Sequence, residues 1–227
     1  MHSYYGKSHI LQGVDLDLAP GRMTCLLGRN GVGKSTTLKT IMGLIKPRQG
    51  RICFKDEDIQ GRQPYEIARR GLGYVPEERR IFSDLTILEN LEVGRQPARD
   101  GIPAWSIDDL FGLFPNLEER RQNRGKALSG GEQQMLTIAR TLMGNPTFLL
   151  LDEPSEGIAP VIVEQMVNTI LEIKKHGVTV ILSEQNLHFA RAVSSHAVIL
   201  DRGTTRYSGS FAELDADPEF RDAWLSV

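Results

Sequence analysis

Short apolar runs alternate with helical segments along most of the chain. The runs of strand length are residues 23–27, 71–75, 147–151 and 178–182. Segments with helical character follow them at residues 34–44, 131–143 and 160–176. Strands that alternate with helices of this length are joined by parallel crossovers, so the pattern predicts an α/β fold with a parallel sheet.

One stretch, residues 81–125, breaks this alternation because prolines and glycines punctuate short helical pieces. We therefore expect a single domain with an inserted helical lobe at about residues 81–139 and a core at about residues 1–80 and 140–227. Near the end of the chain, the turn Asp201-Arg202-Gly203 follows an apolar strand and predicts a hairpin.

The composition is that of an ordinary globular protein, with 227 residues, 40% hydrophobic and 25% charged, and a formal net charge of −2. This balance gives no general attraction to polyanions, so we expect no nucleic-acid partner. No apolar run reaches the roughly 20 residues that cross a bilayer, and no leader opens the chain, so a cytoplasmic protein is expected. Cys25 and Cys53 lack a C-x-x-C pattern and are predicted to be buried, reduced thiols.

A glycine-rich loop lies between the first predicted buried strand and the first predicted helix. It fits the pattern G-x-x-x-x-G-K-[ST] with Gly28, Arg29, Asn30, Gly31, Val32, Gly33, Lys34 and Ser35. Glycines let consecutive backbone N–H groups face phosphate oxygens, and the helix N-terminus adds partial positive charge. We expect Lys34 to reach the β and γ phosphates of a nucleotide, Ser35 to bind Mg²⁺ and Thr36 to bond the α phosphate.

Two carboxylates follow the apolar strand at residues 147–151. Asp152 and Glu153 lie where a parallel sheet presents residues to a ligand at its C-terminal edge. We expect Asp152 to hold Mg²⁺, through water, and Glu153 to polarise a water for in-line attack on the γ phosphate.

A third motif, Leu128-Ser-Gly-Gly-Glu-Gln-Gln134, opens the helix predicted at residues 131–143. A serine and two glycines at a helix start form a second phosphate-binding end, because free N–H groups project without obstruction. With this motif the chain resembles the ATP-binding subunits of ABC transporters. The resemblance implies a P-loop NTPase fold with a RecA-like parallel core, an N-terminal antiparallel β subdomain and the inserted lobe. It also implies ATP and Mg²⁺ as cofactors, and ATP hydrolysis coupled to transport across a membrane.

The family resemblance assigns further residues. Two subunits are expected to pair head to tail, so that the motif of one covers the nucleotide held by residues 28–36 of the other. Within that motif the covering residues are Ser129, Gly130, Gly131 and Glu132. Tyr5 takes the position whose ring stacks on adenine. Residues 155–158 correspond to the loop that communicates between the two sites, although they depart from the common Ser-Ala-Leu-Asp.

Two residues depart from the family pattern. Glu77 stands where most members have a glutamine that touches Mg²⁺, and it is expected either to bind Mg²⁺ or to be a solvated loop acid. Gln185 stands where the family usually has a histidine that contacts the γ phosphate. Its amide can donate that hydrogen bond but does not titrate near neutral pH.

Both departures, with the runs P-E-E-R-R-I-F and D-E-P-S-E-G-I-A-P, resemble a subgroup of importers for branched-chain amino acids and related polar solutes. The resemblance implies a place on the inner face of the cell membrane and two membrane permease subunits as partners. It further implies a second ATPase subunit, in a heterodimer or alternatively a homodimer, and indirectly a periplasmic or extracellular solute-binding protein. The competing interpretations are the ATPase of a lipopolysaccharide-type exporter and a non-transport ABC ATPase that acts on DNA or the ribosome.

Overall fold

The computed structural model describes residues 1–225. The strands are β1 (His2–Tyr5), β2 (Ser8–Gln12), β3 (Met23–Leu27), β4 (Cys53–Phe54), β5 (Glu57–Asp58), β6 (Leu72–Val75), β7 (Phe148–Asp152), β8 (Thr179–Glu184), β9 (His196–Asp201) and β10 (Thr204–Ser210). The helices are α1 (Lys34–Ile41), α2 (Pro64–Arg69), α3 (Ile87–Gly94), α4 (Ile107–Leu113), α5 (Pro115–Glu118), α6 (Gly130–Leu142), α7 (Pro160–Lys175), α8 (Leu187–Val193), α9 (Phe211–Asp215) and α10 (Pro218–Leu225). A short 3-10 helix spans Gly125–Ala127.

A six-stranded sheet forms the centre of the fold. Its strand order is β10-β9-β3-β8-β7-β6, and all neighbours are parallel except the antiparallel pair β9–β10. Every residue of β3, β7 and β8 is buried. Parallel strands covered on both faces require such continuous apolar sequences, and the predicted α/β fold is confirmed.

Two apolar clusters cover the two faces of this sheet. Along β3, Cys25 and Leu27 belong to one cluster and Leu26 to the other, because successive side chains of a strand point to opposite faces. The first cluster includes residues of α6, α7, α8 and the inserted lobe, and the second includes residues of α1, α2 and β2. The sheet is therefore the middle layer of three.

The inserted helical lobe lies between β6 and β7 in the chain. Its helices α3, α4 and α5 contribute Leu91, Leu110 and Leu117 to the same apolar cluster as Met135 of α6. The boundaries at about residues 81–139 stay a prediction. Within residues 1–225, no helix has the length and apolar character that a bilayer crossing requires.

Antiparallel strands flank the core. The N-terminal part contains the hairpin β1–β2 and the short pair β4–β5. The hairpin predicted at Asp201-Arg202-Gly203 joins β9 to β10, and Arg202 and Gly203 have φ values of 45° and 74°, which suit a tight two-residue turn.

Two local predictions differ from the structure. The helix predicted at residues 34–44 ends at Ile41, because Gly43 adopts a φ of 74° that terminates it. Cys53 is a free thiol as predicted but is exposed, whereas Cys25 is buried. On β4, Phe54 packs against the core, so the neighbouring Cys53 side chain points to solvent.

Candidate functional site

The loop between β3 and α1 is shaped by glycines. Gly28, Gly31 and Gly33 have φ values of 143°, 80° and 112°. A β-carbon on Gly28 would collide with the carbonyl oxygen of Leu200, and one on Gly33 would lie 2.8 Å from Leu11 Cδ2. The back of the loop is thus pressed against the fold, while Arg29, Asn30 and Gly31 are exposed. This leaves an open backbone cradle on the outer side.

The N-terminus of α1 has no side chain that caps it. Gly33 occupies the cap position and the first turn contains no acidic residue, in contrast to α3, where Thr86 and Glu89 form a capping box. Uncapped N–H groups and the helix dipole favour an anion at this end. Ser35, partly buried, and Thr36, buried, belong to this turn. The loop and helix therefore fit a phosphate group.

Lys34 lies buried at the centre of the site. Its Nζ donates to the carbonyl oxygens of Gly28 at 2.8 Å and Arg29 at 3.1 Å. It also forms an ion pair with Glu153 Oε1 at 3.2 Å, and the two side chains are only 3% and 7% exposed. Two predicted site residues are thus paired with each other, a contact that the sequence did not reveal. Because water cannot solvate these two buried side chains, each charge is compensated by the other.

The acidic pair is held by neighbouring strands. Asp152 is fully buried and accepts hydrogen bonds from Ser183 Oγ at 2.8 Å and from the Tyr74 hydroxyl at 3.0 Å. Burial and the charge of Asp152 raise the pKa of Tyr74 well above its ordinary value, so this hydroxyl stays a donor. Glu153 accepts from Gln185 Nε2 at 2.7 Å.

Glu153 has an unusual backbone and a stabilised charge. Its φ of 45° is left-handed, and its N–H donates to Ser183 Oγ at 3.0 Å. Burial opposes its charge, but hydrogen bonds with Glu156 and Gln185 and the charge of Lys34 outweigh burial and lower the pKa of Glu153. The carboxylate is therefore ionised at neutral pH.

The side chain of Glu156, when protonated, is hydrogen-bonded to this carboxylate. The hydrogen bond to Glu153, then burial and the repulsion from Glu153, raise the pKa of Glu156 to about 7. Near neutral pH the protonated form of Glu156 is thus a donor to Glu153. Sequence reasoning placed Glu156 only within the loop at residues 155–158.

Glu156→Gln is expected to change the pH dependence of stability. The folded chain holds the Glu156 proton up to about pH 7, against an ordinary pKa of 4.5. The group therefore stabilises the fold below pH 4.5 and loses that contribution as the pH rises through about 7. Because glutamine is a donor without charge, the free energy of unfolding of the variant should rise relative to wild type between about pH 5 and 8 in urea titrations.

Glu164→Gln, an exposed change on α7, is the control, and its free energy of unfolding should differ from that of wild type by the same amount across this pH range. A constant difference for Glu156→Gln would contradict the raised pKa of Glu156.

The first turn of α6, residues 129–132, is called the signature turn below. Ser129 is exposed and caps the helix, accepting from Glu132 N at 3.4 Å, while Glu132 accepts from Ser129 N at 2.8 Å. Arg120 forms an ion pair with Glu132 at 3.1 Å. A β-carbon on Gly131 would lie 3.0 Å from Ile162 Cγ2. Among the described residues, no hydrogen bond or ion pair joins this turn to the glycine-rich loop at residues 28–36, which is called the phosphate loop below, so the role of the turn at a nucleotide stays a prediction.

Two other predicted residues form no hydrogen bond or ion pair with this cluster within residues 1–225, although the charge of Glu77 helps to raise the pKa of Glu156. Tyr5 ends β1 and is 51% exposed, whereas the ring of the neighbouring Tyr4 stacks on His9 at a centroid distance of 4.1 Å. Tyr5 is thus the available ring. Glu77 is exposed and has no hydrogen bond or ion pair within residues 1–225, so its role at Mg²⁺ stays a prediction.

Sequence reasoning missed several residues that support the site. Ser183 and Glu184 end β8, beside β7, and Glu184 is buried. Its carboxylate accepts from the N–H groups of Ser155 at 3.1 Å and Gln185 at 3.2 Å, and burial raises the pKa of Glu184. Their position in the sequence could have identified them, because polar residues at the C-terminal end of a parallel strand lie close to the acidic pair at the end of the neighbouring strand.

The donor set fits Mg²⁺ only together with phosphate. Within residues 1–225, no group of three or more His, Cys, Asp or Glu side chains forms a complete metal site. Mg²⁺ usually binds one or two carboxylates together with phosphate oxygens and waters. Asp152 supplies one carboxylate at the end of β7, and the Ser35 hydroxyl stands at the start of α1. These residues would hold the ion when a nucleotide occupies the cradle.

Gly28→Ala is expected to destabilise the phosphate loop by about 2–4 kcal/mol, because strain at a φ of 143° adds to the collision with Leu200. Gly31→Ala is the matched control, since Gly31 has a φ of 80° but open space around its Cα. It should lose about 1–2 kcal/mol from backbone strain alone. Urea unfolding measures both losses. Equal losses of unfolding free energy in the two variants would show that the contact with Leu200 does not contribute to the effect of Gly28→Ala.

Comparisons with known proteins agree with this geometry. The family described as ABC transporter matches residues 11–156. The high-affinity branched-chain amino acid transport ATP-binding protein BraG of Pseudomonas aeruginosa is 40% identical over 98% of this chain and 96% of its own length. The lipopolysaccharide export system ATP-binding protein LptB of Haemophilus influenzae is 34% identical over 97% of this chain and 92% of its own.

Solved structures share the fold over nearly the whole chain. A nucleotide-free ATP-binding cassette from an ABC transporter has a TM-score of 0.82 at 26% identity and covers 97% of this chain and 94% of its own. Another structure, of an ABC transporter ATP-binding cassette in its ADP conformation, has a TM-score of 0.81 at 26% identity and covers 100% of this chain and 96% of its own.

Proposed function

The chain belongs to the ATP-binding family of ABC transporters, and from that premise we propose that it energises an importer for branched-chain amino acids or related small polar solutes. The family identity makes it an ATPase whose hydrolysis is coupled to transport. The observation that carries the importer assignment is the 40% identity to BraG over 98% of the chain.

In the proposed ATP hydrolysis, different residues of the site have different roles. Residues 28–36 bind the phosphates, and Lys34 exchanges its ion pair with Glu153 for the phosphate oxygens. Glu153, with its charge no longer compensated, accepts a proton from the attacking water. Gln185 holds that carboxylate through its 2.7 Å hydrogen bond. Ser35 and Asp152 would hold Mg²⁺, which would neutralise the negative charge that develops on the phosphate oxygens.

Pairing of subunits completes the site. ATP-binding cassettes of this family dimerise and work with membrane permease subunits. In our proposal the signature turn covers the ATP of the opposing subunit, and hydrolysis reopens the dimer. Tighter binding of ATP than of ADP by the closed state then shifts the conformational equilibrium of the permeases. In our proposal the chain works on the inner face of the cell membrane, with a solute-binding protein as an indirect partner.

The partner is proposed to be a different ATPase subunit. Gln185 stands where the family usually has a histidine, and Glu77 where it usually has a glutamine, so a second subunit with the standard residues would complement this chain. Size-exclusion chromatography and ATPase assays on the purified chain with Mg-ATP test this. Rapid hydrolysis by a stable homodimer would reject the heterodimer.

The second candidate is export, because lipopolysaccharide export ATP-binding proteins reach 34% identity over 97% of the chain. Uptake of radiolabelled leucine by cells that lack the protein distinguishes the two. We expect uptake to fall in those cells, to recover with the wild-type chain and with the exposed control Glu78→Gln, and not to recover with Glu153→Gln. Normal leucine, isoleucine and valine uptake together with depleted surface lipopolysaccharide would favour export.

A further inference from the structure

Arg79 contacts two segments that belong to different half-sites. Its Nη2 donates to the backbone carbonyls of Glu156 at 3.3 Å and Gly157 at 3.4 Å. The same guanidinium lies against Gly130, where a β-carbon would collide with Nη1. The Arg79 carbonyl accepts from the Thr137 hydroxyl at 2.6 Å, which ties its backbone to α6. Arg79 thus joins the loop after the acidic pair to the signature turn.

The loop that Arg79 holds begins with strained backbone. Glu153 adopts a φ of 45°, which a non-glycine residue keeps only when its surroundings hold it. On the inner side, the N–H of Ser155 donates to the buried Glu184 carboxylate at 3.1 Å. On the outer side, the guanidinium of Arg79 is the side-chain donor to the carbonyls at residues 156–157 among the described residues. The loop is therefore held from both sides.

The guanidinium is suited to this double contact. Its planar arrangement of donors can serve two adjacent carbonyls and still face Gly130, whereas a lysine ammonium is a compact point charge on a flexible stem. The backbone places it: Arg79 N donates to Pro76 O at 3.3 Å, and Arg79 has a left-handed φ of 57°. A turn at residues 76–79 thus directs the side chain towards the two segments.

We propose that Arg79 is a positioning residue that links the two half-sites of one chain. Occupation of the chain's own nucleotide site alters the loop that starts at Glu153, and Arg79 carries that change to the signature turn. The signature turn then meets the ATP of the neighbouring subunit in a state set by the first site. This inference rests on the proposed function, because the change at the signature turn starts from nucleotide at residues 28–36 of the same chain and then acts on the ATP of a paired subunit.

Amide hydrogen exchange of the full-length chain, with and without the non-hydrolysable analogue Mg-AMP-PNP, tests the link. In wild type we expect the analogue to slow exchange at residues 28–36 and also, by about fivefold or more, at residues 129–133. In Arg79→Ala the response at residues 28–36 should remain, while the response at residues 129–133 falls below about twofold. If Arg79 had a purely structural role, its substitution would change the exchange rate at residues 129–133 by the same factor with and without the analogue.

Two further variants sharpen the result. Arg79→Lys keeps the charge and should lose the response at residues 129–133 as Arg79→Ala does, which keeps the test valid if the alanine variant does not fold. Arg80→Ala is the matched control, because Arg80 is exposed and its side chain pairs with Glu78 at 3.6 Å. It should respond as wild type does.

Calorimetric binding of the analogue to the same samples separates two kinds of failure. Absence of binding by wild type would reject the proposed function and the inference with it. Equal binding by all variants, with the same response at residues 129–133 in wild type, Arg79→Ala and Arg79→Lys, would overturn the inference alone. So would a wild-type chain that binds the analogue without any response at residues 129–133.

Discussion

Lys34→Ala is expected to abolish productive ATP binding and to lower ATP hydrolysis by at least about 10²–10³-fold. The variant removes the buried cation that is proposed to bind the phosphates and that forms the 3.2 Å pair with Glu153. It also leaves the Glu153 carboxylate buried without its cation, which costs about 3–5 kcal/mol of unfolding free energy when one partner of a buried pair is lost. The pair thus gives Lys34 a structural role in addition to its proposed role in phosphate binding.

Isothermal titration with Mg-ATP, ATPase assays and urea unfolding measure these losses. Lys39→Ala is the matched control on the same helix, because Lys39 is a quarter exposed and pairs with Glu78 at 3.7 Å. Its stability should change by less than about 1 kcal/mol, and it should bind ATP as wild type does. ATP affinity in Lys34→Ala equal to that of the control would remove Lys34 from the phosphate site.

Glu153→Gln is expected to keep ATP binding while slowing hydrolysis by about 10²–10⁴-fold. Glutamine matches the size of glutamate, so the loop at residues 28–36 is not disturbed, but an amide cannot accept the proton of the attacking water. The ion pair with Lys34 is lost as well, which leaves the lysine free for phosphate. With the proposed second ATPase subunit and Mg-ATP, the variant should therefore accumulate in the closed dimer.

Single-turnover hydrolysis and size-exclusion chromatography with Mg-ATP follow these two effects separately. Glu78→Gln, in the exposed loop after β6, is the control and should hydrolyse ATP at the wild-type rate. Normal turnover by Glu153→Gln would remove the proton acceptor assigned here. Lost nucleotide binding would instead show that Glu153 acts mainly by holding Lys34.

Much of the fold was predictable because its signals are local. Buried parallel strands need unbroken apolar runs, and Met23–Leu27 was found at the predicted residues with all of them buried. The phosphate loop is a contiguous segment whose glycines have the positive φ values that its sequence pattern requires. Helix ends were less certain, as α1 shows, because the φ of Gly43 and not the apolar pattern terminates it.

The supporting residues of the site could not be predicted in the same way. Tyr74 and Asp152 are 78 residues apart in the chain, and Ser183 and Asp152 are 31 apart, yet each pair is hydrogen-bonded. No periodicity connects such positions. Only the strand order β8-β7-β6 brings the ends of these strands together.

The sequence by itself determined the α/β fold, the phosphate loop, the acidic pair and the family, because these depend on residue types at short, regular spacing. Only the tertiary structure decided that Lys34 pairs with Glu153, that the pKa of Glu156 is raised, and that Arg79 joins the loop after the acidic pair to the signature turn. Charge pairing and pKa values depend on distance and burial in space. These distances and this burial are fixed only when the chain has packed its strands side by side.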